Sequence, residues 1–356
     1  MDARDSSLFG IRLGATSFGT PTSGCFDYLR FSRATSGDIP LQVQQDIGAA
    51  LTRSYPGVAQ RQGLEVSYVN PHINWFGGAV SLPDYSGTAG KSDSAILKPI
   101  IADIHARGGI TSYNHPYGVG FGTDLLSPAE QDRRLANLGV TVLNNNAFDN
   151  DLIEVGYPSR SGVDLAHHVA LWDVCSRNAL FLTGNGTTDD HDAIDWLNSY
   201  LNWVTSTWTA SRAEPDLLAA LRAGRAWFGS LSGFRGSLDL LADGSCPMGS
   251  VSVSSLPARR LLVMATDLPA GGSLRVVQGV VDYAGTATPR PSNREVATYP
   301  AAALATGSVE LSVDTSTSSY VRTEVLDSTG SVVGLSNPIW LLRKTPPNGI
   351  PAARAC

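Results

Sequence analysis

The stretch Ala179-Leu180-Phe181-Leu182-Thr183-Gly184-Asn185-Gly186-Thr187-Thr188-Asp189-Asp190-His191-Asp192 decides the fold class. Its apolar start, Ala179 to Leu182, reads as a short buried strand, and a polar loop after a strand is where α/β barrels place their chemistry. Asp189 and His191 stand two apart, so on an extended trace their side chains leave one face. A carboxylate beside an imidazole suits a borderline divalent cation. Taken alone, the same residues make a Gly/Asp-rich turn with a surface histidine, because short motifs are weak signals.

Outward from this stretch, strands alternate with helices at the spacing of a parallel α/β layout. Leu41 to Leu51 carries a modest helical period after Pro40. Gly63 to Val69 alternates as a strand with Glu65 inside it, and the loop Asn70-Pro71-His72-Ile73-Asn74 follows. Ser94 to Arg107 is a stronger helix, with Ile96, Leu97, Ile100, Ile101 and Ile104 on one side and Gly108-Gly109 ending it. Ile110 to Tyr113 reads as a strand closed by Asn114-His115-Pro116, where the proline restricts the histidine to extended backbone angles. Ser127-Pro128-Ala129-Glu130 is a capping box with proline at the first helical position. Val140 to Leu143 and Leu152 to Val155 read as short strands, Val163 to Cys175 as a helix, and Glu214 to Ala223 as the last helix.

After Ser230 the pattern changes to β runs split by Gly, Ser, Pro and Thr: Leu261–Met264, Leu274–Tyr283, Val309–Val313, Tyr320–Leu326 and Pro338–Leu342. They predict an all-β domain, an antiparallel sandwich. The expected organisation is an irregular segment over 1–39, an incomplete α/β barrel over 40–230, a β-sandwich over 231–345 and a tail over 346–356.

With 356 residues, 42% hydrophobic content and 36 glycines, the chain has the make-up of a folded, loop-rich protein. A net charge of −6 argues against nucleic acid as a partner, since a phosphate-backbone binder carries a basic stripe. No apolar run is long enough for a membrane span. Met1 to Ser7 holds no basic segment followed by an apolar one, so no signal peptide is read there. The cysteines at 25, 175, 246 and 356 form no C-x-x-C pair, which excludes a cysteine zinc knuckle. The partner expected is a small-molecule substrate; the sequence leaves oligomeric state open.

Glu65, His115, Asp189 and His191 each lie at or just past the end of a predicted strand, and His72 lies in the loop after Glu65. Barrel enzymes assemble their sites from the ends of different strands, so this recurrence points to a metal site. Glu65 in an apolar strand calls for a cation or an arginine, with a salt bridge to Arg61 as the plainer reading. His105 falls on the polar side of its helix and reads as solvated, and the adjacent helical pair His167 and His168 point in different directions. Glu154 reads equally as support for the site and as ordinary strand-end polarity. There is no G-x-S-x-G, P-loop or dinucleotide fingerprint, which leaves metal-assisted hydrolysis as the leading chemistry.

At these residues the chain resembles the PHP metallohydrolases, and within them the CehA/McbA-like branch that includes a carbaryl hydrolase. The segments that carry the resemblance are Gly63-Leu64-Glu65-Val66-Ser67, His72-Ile73-Asn74, Gly109 through Asn114-His115-Pro116, Leu152-Ile153-Glu154-Val155, Leu171-Trp172-Asp173, Gly186 through His191, and Leu221 through Arg225. In the tail, Tyr320-Val321-Arg322-Thr323-Glu324 and Ser336-Asn337-Pro338-Ile339 match as well. The resemblance implies a distorted (β/α)₇ barrel with two or three divalent ions, Zn, Mn or Fe. It implies Glu65 as the carboxylate bridging two metals, His72 and His115 as its partners on one of them, Asp189 as a ligand of a second and His191 of a third. Glu65 and Asp189 would be the catalytic pair. Family members open with a strand ending in His-x-His, and this sequence has no His-x-His and no histidine before His72. The expectation is an N-terminally incomplete barrel retaining at most one tightly held metal. If an upstream start carried an export signal, the chain would be secreted or periplasmic; otherwise it would be cytoplasmic.

Three functions compete. The first is a metal-dependent hydrolase that turns an activated water on a phosphoester or on a small carbamate or ester. The second is a catalytically weak or inactive remnant that binds a carbohydrate or a protein. The third is a metal-free hydrolase with paired carboxylates, whose activity would survive a chelator.

Overall fold

A computed structural model of the protein describes residues 39–120, 123–189, 202–285 and 293–356. Met1–Gln60 and Arg61–Cys356 are separate units. The described part of the first holds helix α1 (Ile39–Ser54), along which Val43, Ile47 and Leu51 are exposed at a four-residue spacing.

In the second unit β1 (Gly63–Val66) pairs antiparallel with β2 (Ile73–Phe76). Helix α2 (Asp93–Ala106) follows, capped by the Ser92 hydroxyl and burying Ile96, Leu97, Ile101 and Ile104. Side chains of this size are each worth about 1.5–3 kcal/mol when fully withdrawn from water. Strand β3 (Ile110–Tyr113) pairs antiparallel with β2. Helix α3 (Pro128–Asn144) starts at the expected cap, with Ser127 Oγ accepting the Glu130 N–H. Here Val140 to Leu143, expected as a strand, is the last turn of the helix. Leu135, Gly139 and Val142 are buried on one side, so the 3.6-residue period persists to Asn144 and overrides the β-branched residues' strand preference.

Strand β4 (Leu152–Gly156) runs parallel to β3. The two-residue strands β5 (Ser159–Arg160) and β6 (Val163–Asp164) form a small hairpin before helix α4 (Leu165–Arg177). Strand β7 (Thr183–Gly186) then runs parallel to β4. The five strands make one open sheet in the order β1-β2-β3-β4-β7. The described residues form no closed barrel; the expectation was an N-terminally incomplete one, and the fold is mixed α/β with several sheets. Strands β3, β4 and β7 are buried at every position, as a layer covered on both faces requires.

The strand expected at Ala179–Leu182 lies four residues later. Its sequence Thr-Gly-Asn-Gly looks like a loop, but a Cβ on Gly184 would sit 2.7 Å from the Trp172 ring. Close packing under α4 selects glycine there, and it overrides glycine's poor strand propensity.

Strand β8 (Trp203–Thr207), helix α5 (Glu214–Arg222) and strand β9 (Ala226–Ser230) come next, and β8 and β9 pair antiparallel. The remaining strands are β10 (Leu238–Ala242), β11 (Cys246–Pro247), β12 (Val251–Val253), β13 (Ala258–Ala265), β14 (Ser273–Val280), β15 (Asn293–Pro300), β16 (Ser308–Asp314), β17 (Ser319–Leu326), β18 (Val332–Ser336) and β19 (Ile339–Leu342). One four-stranded sheet, β11-β10-β13-β16, packs on an eight-stranded sheet that runs β12-β19-β17-β18-β9-β8 with β14 and β15 added beside β17. Leu238, Leu240, Leu261 and Val263 of the smaller sheet share a core with Leu274, Val276, Val321 and Val325 of the larger. This is a sandwich-like arrangement, and its larger sheet reaches back to Trp203 through β8 and β9. A disulfide joins Cys246 to Cys356. No described helix is long and apolar enough to cross a membrane.

Candidate metal centre

The antiparallel ladders of β1, β2 and β3 bring three candidate ligands together. Val66 pairs with Ile73, so the segment between them is a hairpin connection and His72 immediately precedes β2. Ile73 in turn pairs with Tyr113, the last residue of β3, and Asn114 N–H donates to the His72 carbonyl at 3.0 Å. His115 therefore stands beside His72, with ring centroids 4.9 Å apart. Glu65, one residue before the end of β1, faces both: its Oε1 lies 3.1 Å from His72 Nδ1 and 3.2 Å from His115 Nε2. Asn114 Nδ2 donates to the same oxygen at 3.3 Å.

Glu65 is 35% exposed rather than fully buried in an apolar strand, so its desolvation is partial and the hydrogen bond from His115 outweighs it. Arg61 goes elsewhere, to Glu214 at 4.0 Å. The His115 imidazole, then the Asn114 amide and the charges of His72 and His115, hold the Glu65 carboxyl down to about 2. The group is a carboxylate at neutral pH and can serve as a ligand.

These three residues could hold a metal ion: one donor atom from each lies within 4.8 Å of the others. Donors about 2.0–2.1 Å from a tetrahedral ion stand about 3.3 Å apart. The two measured separations, 3.1 and 3.2 Å, meet that requirement. Two imidazoles and one carboxylate also make a donor set suited to borderline divalent ions.

His115 is not extended. Its φ is +24°, in the left-handed region that costs a non-glycine residue roughly 1–2 kcal/mol. The proline that follows restrains it less than its tertiary partners do. The His115 N–H donates to Glu154 Oε2 at 2.6 Å, and its carbonyl accepts the Gly118 N–H at 2.7 Å. Glu154 lies on β4, where Ile153 pairs with Tyr113, so the strand register delivers its carboxylate beneath His115. The Tyr157 hydroxyl donates to the same Glu154 oxygen. Burial pushes the Glu154 carboxyl up to about 7, against the pull of those two donors.

Asp189 is not one of the three grouped residues. Its Oδ2 meets Arg160 Nη2 at 2.5 Å, and Arg160 is 1% exposed. The Asp189 carboxylate, expected to share a second metal with Glu65, thus faces a buried guanidinium. Asp189 also turns left-handed, at φ +43°, which breaks the extended trace assumed from Asp189 to His191. His191 lies outside the described residues.

Two of the other histidines, His105 and His167, have carboxylate partners. His105, expected on a solvated face, has its Nε2 2.8 Å from Asp151 Oδ2, which also accepts the Thr111 N–H at 2.9 Å. His167 sits between Asp164 at 2.7 Å and Asp132 at 3.3 Å, tying α4 to α3. Arg160 and Tyr157 are the residues that sequence reasoning passed over. The rule of looking past each strand end, applied to β4, would have found both.

A cavity of about 530 Å³ opens beside His72 and His115, lined also by Ser94 of α2, Thr141 and Asn145 at the end of α3, and the Tyr117 and Phe148 rings. Among the described residues its lining contains no lysine or arginine and one acid, Asp93. The chain matches no family model and no curated protein.

Proposed function

We propose that this protein is a metal-dependent hydrolase of the PHP type, acting on a small ester or carbamate. The observation that carries the proposal is the convergence of Glu65, His72 and His115 at one edge of the sheet, beside a cavity of small-molecule size. The resemblance of the segments around Glu65, His115 and Asp189 to the CehA/McbA-like branch supports the same reading. Zn, Mn or Fe suits the donor set, and such an ion would supply a bound water acidic enough to ionise near neutral pH. Glu65 stays ionised and Asn114 holds its carboxylate in place. Glu154 fixes the backbone of His115, and with it the direction of the imidazole. The absence of lysine and arginine among the described lining residues favours an uncharged ester or carbamate over a phosphate dianion, which needs cationic donors. Tyr117 and Phe148 offer apolar surface to an aryl leaving group.

Protein dialysed and reloaded with zinc or manganese should retain one ion per chain and hydrolyse an aryl carbamate or aryl ester faster than an aryl phosphate. Glu65→Gln should lower metal occupancy and kcat, whereas Arg260→Ala, an exposed change in the sandwich, should alter neither. Full metal retention and full activity in Glu65→Gln would remove this site. A folded, metal-loaded protein with no activity on any of the three esters would instead favour a binding protein without catalysis.

A further inference from the structure

We propose that a second cavity, walled by α4 and β18 and floored by β14 and β17, binds an uncharged amphipathic small molecule with an apolar body and hydroxyl groups at one end. The cavity measures about 690 Å³, larger than the one at the metal centre, and the two share no lining residue. Sites for small ligands run from about 300 to 1,000 Å³, with apolar walls and a few converging polar groups. Leu165 and Val169 of α4 face Val332 and Val333 of β18 across the apolar part.

The floor is a set of paired charges. The Arg322 guanidinium donates to Glu324 and, at 2.9 Å, to Asp173 Oδ2. Arg275 donates to the other Glu324 oxygen, Nε at 2.9 Å. Asn293 Nδ2 adds a bond to Asp173 Oδ2 at 2.8 Å. Arg322, Asp173 and Glu324 are 2%, 2% and 5% exposed. A buried ion network stabilises a fold no better than well-packed apolar side chains of the same volume, so its place here calls for a further reason. Nε of Arg322 finds no acceptor among the described residues, which leaves a donor in the floor for a ligand oxygen or a water.

The charge count selects the ligand. Two arginines and two acids cancel, and the remaining charged residue of the lining, Asp164, accepts the His167 N–H at 3.0 Å and faces its ring nitrogen at 2.7 Å. Among the described lining residues an anion would meet no arginine without an acid partner, and a formal excess of acid. A cation would compete with Arg275, Arg322 and Asn293 for Glu324 and Asp173 Oδ2, and would find only the buried Asp173 Oδ1 without a donor among the described residues. A hydroxyl both donates and accepts, so it can bond at Ser230, Ser331 and Asn293 without breaking an ion pair.

Three probes with one tail and different heads test this: octyl glucoside below its micelle concentration, octanoate and octylammonium, each titrated calorimetrically into the full chain. Octyl glucoside should bind at one site, roughly tenfold or more tighter than either charged probe. Val332→Trp should fill the cavity and abolish that binding, and Ala166→Trp, from the exposed opposite rim, gives the same test if the first variant fails to fold. Glu324→Gln removes one acid from the floor and should raise octanoate affinity relative to octyl glucoside. Equal or tighter binding of a charged probe, no binding of octyl glucoside, or unchanged binding in a folded tryptophan variant would overturn the assignment. None of these readouts depends on metal or on hydrolysis.

Discussion

His168 is a neutral imidazole packed between two phenol rings. It is 1% exposed, with the Tyr117 and Tyr157 rings 4.8 and 5.3 Å from its own. Neither ring nitrogen has a hydrogen-bond partner among the described residues. Burial holds its pKa down to about 3, from an ordinary 6.5. The unfolded chain therefore takes up this proton near pH 6.5, and the folded chain resists it until much lower pH. Stability from this residue is complete above pH 6.5 and falls as the solution is acidified toward 3. At pH 4.5 the loss is about 2.7 kcal/mol, two pH units at about 1.36 kcal/mol each. In urea unfolding at pH 7 and pH 4.5, His168→Phe should lose about that much less stability on acidification than the wild type. Equal acid losses in the two proteins would show that another group carries the titration.

Among the elements, β7 is the one whose sequence and conformation disagree most. Its Thr-Gly-Asn-Gly is tolerated as a buried strand because neighbours need the room: Trp172 lies over Gly184, and Trp203 and Phe228 flank Gly186. Asn337 reaches from the sandwich to bond both sides of Gly184, its Oδ1 accepting the N–H at 2.8 Å and its Nδ2 donating to the carbonyl at 3.0 Å. Gly184→Ala should cost about 1–3 kcal/mol, the usual range for overpacking a filled interior. The check is the urea midpoint together with the near-UV signal of Trp172; a midpoint equal to wild type would mean that the ring yields freely. Helix α3 offers the reverse case, since its cap and its stripe agree and its start lies where the sequence puts it.

At the scale of the molecule, the chain end closes on the body it left. Cys356 is bonded to Cys246, and Ala355 bridges to Val251. Arg354, 3% exposed, donates to the Gly249 carbonyl at 3.0 Å and to Thr183 Oγ1 at 2.6 Å, while its guanidinium lies 5.7 Å from the Trp340 ring. The disulfide closes a loop across a sequence separation of 110 residues. A bridge over so long a loop restricts the unfolded chain strongly, and losing one typically costs about 2–5 kcal/mol. Cys356→Ser, and wild type under reductant, should show that loss in urea unfolding. Stability unchanged in both would mean that Arg354 and the strand bridge hold the tail unaided.

What the sequence determined by itself was local and periodic. The helical stripes of α2 and α3, their serine caps, the apolar run of β4 and the switch to β runs all follow from side-chain spacing, which short-range geometry enforces. So does the candidacy of Glu65 and His115, read at strand ends, and of His72, in the loop after Glu65. Only the tertiary structure decided which candidates meet. The β1–β2–β3 ladders join those three, and the fold sets the buried Arg160 against the Asp189 carboxylate. The left-handed turn at His115 was equally hidden, because Glu154 on a neighbouring strand holds the backbone against its local preference. The disulfide between Cys246 and Cys356 and the glycine strand β7 were hidden for the same reason. Register, close packing and paired charge are relations between distant residues, and a linear pattern records only near ones.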